Sequence, residues 1–231
     1  GTPFGRRFLE ALGRVKGACA RANLSLGLLE EKAAQAIIEA AGEVARGEWD
    51  DQFPLDIFQT GSGTSTNMNA NEVLANLAIR SLGGEIGSRD PVHPNNHVNL
   101  CQSSNDVIPT VIHVAVSQAI REALIPALEG LREALLEKAR ELGHVVKSGR
   151  THLQEATPVT FAQVLGGYVT QVEKGIERAT HALTILDELP IGGTAVGSGI
   201  NRHEDFPGLV IEALNEECDG SFFEACDHFE A

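Results

Sequence analysis

Ser103-Ser104-Asn105-Asp106-Val107-Ile108-Pro109-Thr110-Val111-Ile112-His113-Val114-Ala115-Val116-Ser117-Gln118-Ala119-Ile120 runs hydroxyl and amide side chains directly into an apolar helical pattern. The first N–H groups of a helix lack intrahelical partners, and the macrodipole makes that end mildly positive. Ser103, Ser104 and Asn105 therefore suit an ordinary N-cap, and equally a seat for a small anion such as a carboxylate. From Val107 to Ile120 the residues are apolar on nearly every side, interrupted mainly by Thr110, His113, Ser117 and Gln118. A helix apolar all round is buried, so this one is expected in the middle of a bundle. Pro109 is expected within the first turn or so, where a missing N–H costs little.

Working outward, Leu9, Leu12, Val15, Cys19 and Ala22, then Ala34, Ile37, Ile38, Ala41 and Val44, recur at helical spacing and predict two helices joined near residues 24–29. Trp49 to Gln59 reads as irregular. Gly61-Ser62-Gly63-Thr64-Ser65-Thr66 reads as a loop of small residues, followed by helical spacing from Asn67 through Ile79. Gly83 to Asn99 reads as loop again, rich in Gly, Pro and Asn. The central helix is expected to continue, bent at Pro126, to about Leu142. Residues 147–156 read as a connection, and Thr157-Pro158 as the cap and first residue of the next helix. In that helix Phe161, Leu165, Tyr168, Val172, Ile176, Ala179, Leu183 and Leu186 form one long stripe, with Gly166-Gly167 open to a close neighbour. Pro190 ends it before a Gly-rich loop, Ile191 to Asn201. No strand-rich region is expected. The reading is all-α, and the two long apolar stripes call for helices from other subunits to cover them.

The 231 residues are enough for a sizeable core, and 42% hydrophobic with 22% charged residues is ordinary for a globular protein. A net charge of −14 argues against wrapping nucleic acid or an anionic membrane. An acidic chain must hold an anion with local dipoles and hydroxyls. Cys19, Cys101, Cys218 and Cys226 follow no scaffold pattern, which predicts reduced thiols in a cytoplasmic setting. Cys218, Cys226 and His228 lack the spacing of a zinc site, so no metal is expected. No apolar run is expected to approach the about 20 residues that span a bilayer. The chain begins without Met and stops in an acidic stretch, which reads as a fragment.

The Gly-rich stretches 61–64 and 192–199 follow no predicted strand and lack the Lys-Ser/Thr of a phosphate loop. His93-Pro94-Asn95-Asn96-His97 has histidines four apart, but Pro94 and the asparagines favour a structural turn over a metal-binding helix. His152 lies between Thr151 and Leu153 in a polar connection, where acid–base work and a plain structural role are both open.

Taken together, Gln59-Thr-Gly-Ser-Gly-Thr-Ser-Thr-Asn-Met-Asn-Ala-Asn-Glu-Val, Val92-His-Pro-Asn-Asn-His-Val-Asn, Gln102-Ser-Ser-Asn-Asp, Gly149-Arg-Thr-His-Leu-Gln-Glu-Ala-Thr-Pro and Gly192-Gly-Thr-Ala-Val-Gly-Ser-Gly-Ile-Asn resemble class II fumarases of the fumarase/aspartase superfamily. The resemblance covers essentially the whole chain, in order. It implies an all-α fold, with a small N-terminal helical domain at residues 1–101 and the first part of a long-helix central bundle at 102–231. It also implies a homotetramer whose active sites are shared between subunits, needing no metal or organic cofactor. The implied reaction is reversible hydration of fumarate to (S)-malate through an aci-carboxylate. By that resemblance Ser62, Gly63, Thr64, Ser103, Ser104, Asn105 and Thr151 hold the dicarboxylate, and His152 with a water molecule gives the proton to the leaving hydroxyl. His93, Pro94, Asn95 and Asn96 match an accessory dicarboxylate site, where many relatives carry Asp at the position of Asn96.

The family's mobile Gly-Ser-Ser-x-Met-Pro loop, with the serine that takes the carbon-bound proton, has no match within these residues. The chain alone is therefore expected not to turn over malate. Aspartate ammonia-lyase shares the fold, but such relatives typically carry Gln where this chain has His152. A non-catalytic helical scaffold is the remaining alternative.

Overall fold

The computed structural model describes residues 1–230 and divides them into two compact units, Gly1–Val116 with residues 186–230, and Ser117–Ile185. These units part after residue 116, within the helix that begins at Ser104. Residues 186–230 fold back onto the first unit.

In the first unit, α1 (Arg6–Ser25) packs on α2 (Glu31–Arg46) and on α7 (Phe206–Cys218), and α2 packs on α3 (Thr64–Ser81). The expected stripes supply the core: Leu12, Val15, Cys19, Ile37, Val44, Leu74, Phe206 and Leu214 are buried. The connection at 26–30 lies where the spacing put it.

The second helical layer starts earlier than its apolar spacing suggests. Thr64, Ser65 and Thr66 are already helical, so the loop ends at Gly63. Gly63 caps α3 with φ +63, and a Cβ there would stand 2.9 Å from Ile108 Cγ2. Left-handed backbone and close approach together require glycine. The expected result for Gly63→Ala is a loss of about 1–2 kcal/mol, read from a urea unfolding curve. An unchanged midpoint would contradict it.

Helix α4 (Ser104–Ala119) runs into the core of the first unit with Val107, Val111 and Val114 fully buried. Ile112 and Val116 remain more than a third exposed, so it is not covered all round. Pro109 is the sixth helical residue, beyond the first turn. The carbonyl left unpaired belongs to Asn105, which is exposed and open to water. The helix passes through a π turn at Ile120–Leu124 into α5 (Ile125–Glu141). That turn absorbs Pro126, whose ring would otherwise clash one turn back. Because the run is unbroken, Ser104–Glu141 is long and apolar enough to cross a membrane by length and composition, contrary to expectation. Within the first unit its buried stretch serves as a core helix.

The second unit contains the largest departure from the sequence reading. Val146–Thr151 (β1) and Gln154–Thr160 (β2) form an antiparallel hairpin where a connection was expected, and Thr157-Pro158 belong to β2. Helix α6 (Phe161–Leu186) begins only at Phe161. The hairpin turns on His152 and Leu153, whose φ angles of 50 and 63 match the left-handed pair that a two-residue turn requires. No residue of α5 is buried, and in α6 only Val169 and Leu183 are. Among the described residues, nothing beyond the chain neighbours and the local helix backbone lies within 4 Å of a Cβ built on Gly166 or Gly167.

Candidate active site

Ser103 is the residue before α4, and its side chain does the work of a cap. Its Oγ accepts from the Asn105 N–H at 3.2 Å and from Asn105 Nδ2 at 3.0 Å, while Asp106 Oδ1 accepts from the Ser103 N–H at 2.9 Å. This is a reciprocal capping arrangement with an aspartate in the third helical position. Asp106 Oδ2 accepts two further N–H groups, from Gly192 at 3.1 Å and Thr194 at 2.9 Å. One buried carboxylate thus fixes the helix start and the Gly-rich loop to each other. Burial pushes the Asp106 carboxyl above its usual range, against the pull of these N–H groups and of the Lys16 ammonium.

The start of α3 meets the same place. Thr66 donates its N–H to Gln59 Oε1 at 3.0 Å, and Gln59 Nε2 donates to Thr66 Oγ1 at 2.7 Å, so a side chain from the preceding loop closes the helix end. That fixes Thr64, whose Oγ1 accepts from Ser104 Oγ at 3.0 Å. Two motifs 40 residues apart are in direct contact. Ser62 is half-buried in the turn before Gly63.

His93-Pro94-Asn95-Asn96 begins a single π-helical turn, Pro94–Val98. The His93 ring accepts the N–H groups of Asn95 at 3.1 Å and Asn96 at 3.3 Å, and the His93 backbone N–H donates to His97 Nδ1 at 3.0 Å. Asn95 and Asn96 line a cleft of about 480 Å³ with Gln102, Ser103, Thr194 and Asn201. Asn105 lines a smaller cleft of about 210 Å³ with Asp106, Thr194 and His228. Thr151 and His152 lie in the second unit, exposed at the end of β1 and in the hairpin turn.

Several residues bearing on this site were not singled out from sequence. Asn67, buried in α3, donates to Ser104 Oγ at 3.0 Å and to Asn99 Oδ1 at 3.2 Å. Thr194 is buried with φ +56 and lines both clefts. His228 pairs with Glu224 at 2.9 Å, and Cys218 accepts from Arg14 at 3.4 Å, so both have partners of their own. Asn67 lies within a run of alternating asparagines, Asn67, Asn69 and Asn71, on a predicted helix, which is a visible signal. Thr194 offers none.

Two hydroxyl-lined helix starts, stitched together and joined to a Gly-rich loop within a mainly helical framework, make up the candidate site of a mainly α-helical protein. A lyase family model matches residues 4–231, and the chain belongs to that family. It is 57% identical over all 231 residues to the class II fumarate hydratase of Halobacterium salinarum, of which it covers 49%. To the mitochondrial fumarate hydratase of Saccharomyces cerevisiae it is 52% identical over 223 residues, 96% of this chain and 46% of that protein. The crystal structure of a class II fumarase from Schistosoma mansoni superposes with a TM-score of 0.94 at 36% identity, covering 98% of this chain and 50% of that one. The fold is that of the fumarase/aspartase group. The chain spans about half the length of the curated relatives it matches.

Proposed function

We propose that the whole protein carrying this chain is a fumarate hydratase, adding water reversibly to fumarate to give (S)-malate, a step of the tricarboxylic acid cycle in a cytoplasmic setting. The observation that carries the reading is the contact between Thr64 and Ser104, which joins the starts of two helices and their hydroxyl motifs. Removing a proton beside a carboxylate puts a second negative charge on that carboxylate. Fixed donors aimed at it lower the barrier. Ser62, Gly63, Thr64, Ser103, Ser104, Asn105 and Thr151 hold the dicarboxylate, and His152 with a water molecule protonates the leaving hydroxyl. His93, Pro94, Asn95 and Asn96 form an accessory dicarboxylate site, whose cleft is shared with Ser103. The domain plan of the whole protein divides at residues 101/102.

The active form is a homotetramer with sites shared between subunits. The sparse burial of α5 and α6 supports this, because a stripe as long as that of α6 is stable only when covered. The exposed His152 turn then serves a neighbouring subunit's seat. The 231 residues alone are expected to give no turnover, since they hold no match to the serine loop.

The test is the absorbance of fumarate on adding malate or aspartate to the whole protein. Malate is expected to yield fumarate and aspartate none; the reverse would make it an aspartate ammonia-lyase, and neither would leave a scaffold. His152→Asn is expected to lower kcat about a hundredfold with a smaller change in KM, the size typical of general acid–base groups. An unaltered kcat would remove His152 from the chemistry.

A further inference from the structure

Lys16 is the most unusual charge in the chain: a lysine with no exposed surface, on a helix face that is otherwise core. Its Nζ donates to Asn99 Oδ1 at 3.1 Å and to Gln102 Oε1 at 2.8 Å. Resting on the reading above, we propose that Lys16 is a positioning residue for the carboxylate seat, setting the donor direction of a relay that ends at Thr64.

The chain of reasoning is one of donors and acceptors. An ammonium has only hydrogens to offer, so the atom of Asn99 that faces it is the oxygen. That oxygen also faces the amide groups of Asn67 and Asn71, both at 3.2 Å, so each presents its nitrogen there. The same Nδ2 of Asn67 reaches Ser104 Oγ at 3.0 Å, and Ser104 therefore accepts from it. The Ser104 proton is left to point at Thr64 Oγ1, 3.0 Å away. Thr64, now an acceptor from Ser104, keeps its own O–H for an incoming anion. From Asn67 through Ser104 to Thr64 each donation makes the next donor stronger, while Lys16 acts one step back by fixing which atom of Asn99 faces Asn67. Asn99 Nδ2 also donates to the Gln102 carbonyl at 3.2 Å, so Lys16 reinforces an orientation that has one other hold. Without Lys16 only that hold opposes a turn-over of Asn99 and Asn67, after which Ser104 and Thr64 can aim their protons at each other's lone pairs instead of the ligand. Among the described residues the buried amide oxygens of Asn67 and Asn71 have no hydrogen-bond partner, which is the cost of holding them this way round.

Lys16 does not reach the seat itself, so its action is separable from bulk. The experiment uses the whole protein and a double-mutant cycle of Lys16→Met and Thr64→Val, with succinate as a non-reacting dicarboxylate measured by calorimetry, and malate turnover alongside. Each single change is expected to raise the succinate dissociation constant about tenfold, and Lys16→Met in the Thr64→Val background to add less than twofold. Turnover at saturating malate is expected to fall less than kcat/KM. Independent, multiplying effects, or parent-like binding by Lys16→Met, would overturn the proposal. If Lys16→Met does not fold, Asn67→Asp replaces it in the same cycle with the same two outcomes. A parent protein that neither binds succinate nor forms fumarate would instead bring down the underlying function, and the relay with it.

Discussion

Replacing Asp106 with alanine is expected to cost about 3–5 kcal/mol of folding stability, the range found when one partner of a buried charged network is removed. Its side chain is 2% exposed and accepts N–H groups from Ser103, Gly192 and Thr194. Truncation leaves three backbone donors facing a cavity that Ala cannot fill, and removes a carboxylate whose charge favours the Lys16 ammonium. Asp106→Asn tells charge from shape: the amide fits the space, but its NH₂ must face either Ser103 or the pair Gly192 and Thr194. It is therefore expected to recover only a minor part of the loss. Urea unfolding of both variants gives the comparison, and limited proteolysis within residues 192–199 reports whether the loop detaches before the helices melt. A midpoint for Asp106→Ala within 1 kcal/mol of the parent would show that water replaces the carboxylate, and the site's rigidity would need another source.

Asp106 also shows where reading from sequence runs out. Its neighbours Ser103 and Asn105 were legible because a cap is local: three residues and a helix start specify it. The bonds to Gly192 and Thr194 join positions 86 and 88 residues away, and no local pattern encodes such a partner. The long helices were legible for the opposite reason, since a 3.6-residue apolar period is repeated many times along α1, α2 and α6. The β1–β2 hairpin was not. Its strands are mostly exposed, so they lack the alternation that a half-buried strand carries, and its turn is His-Leu where Asn-Gly would have announced it. The early start of α3 was hidden by Ser and Thr residues that read as loop, because Gln59, not an N-cap side chain, closes that helix end. Lys16 carries no local mark of its burial in the sequence. Its burial depends on amides supplied by α3 and the Asn99–Gln102 turn.

That burial has a signature in the pH dependence of stability. Desolvation lowers the Lys16 pKa from 10.5 to about 8, with the Cys19 and Asp106 side chains opposing it. Between those two values the unfolded chain binds the proton and the folded chain does not, so stability rises with pH across that window. Below about pH 8 the penalty is constant, and above 10.5 it has vanished. Subtracting the unfolding free energy of Lys16→Met from that of the parent removes most other titrations. The difference is expected to move by about 3 kcal/mol in the parent's favour from pH 7.5 to pH 10.5. Two titratable groups face the ammonium. Cys19 lies on the next turn of α1 with its thiol pushed up by burial, so the unfolded thiol loses its proton within this window while the folded one keeps it, and that slope opposes the one from Lys16. The parent and Lys16→Met share that slope, so it cancels in the difference, and burial raises the Asp106 carboxyl in both. A flat difference would mean that the amide oxygens of Asn99 and Gln102 solvate the ammonium as well as water does. The relay would then keep its direction, but the cation at its end would carry no desolvation cost.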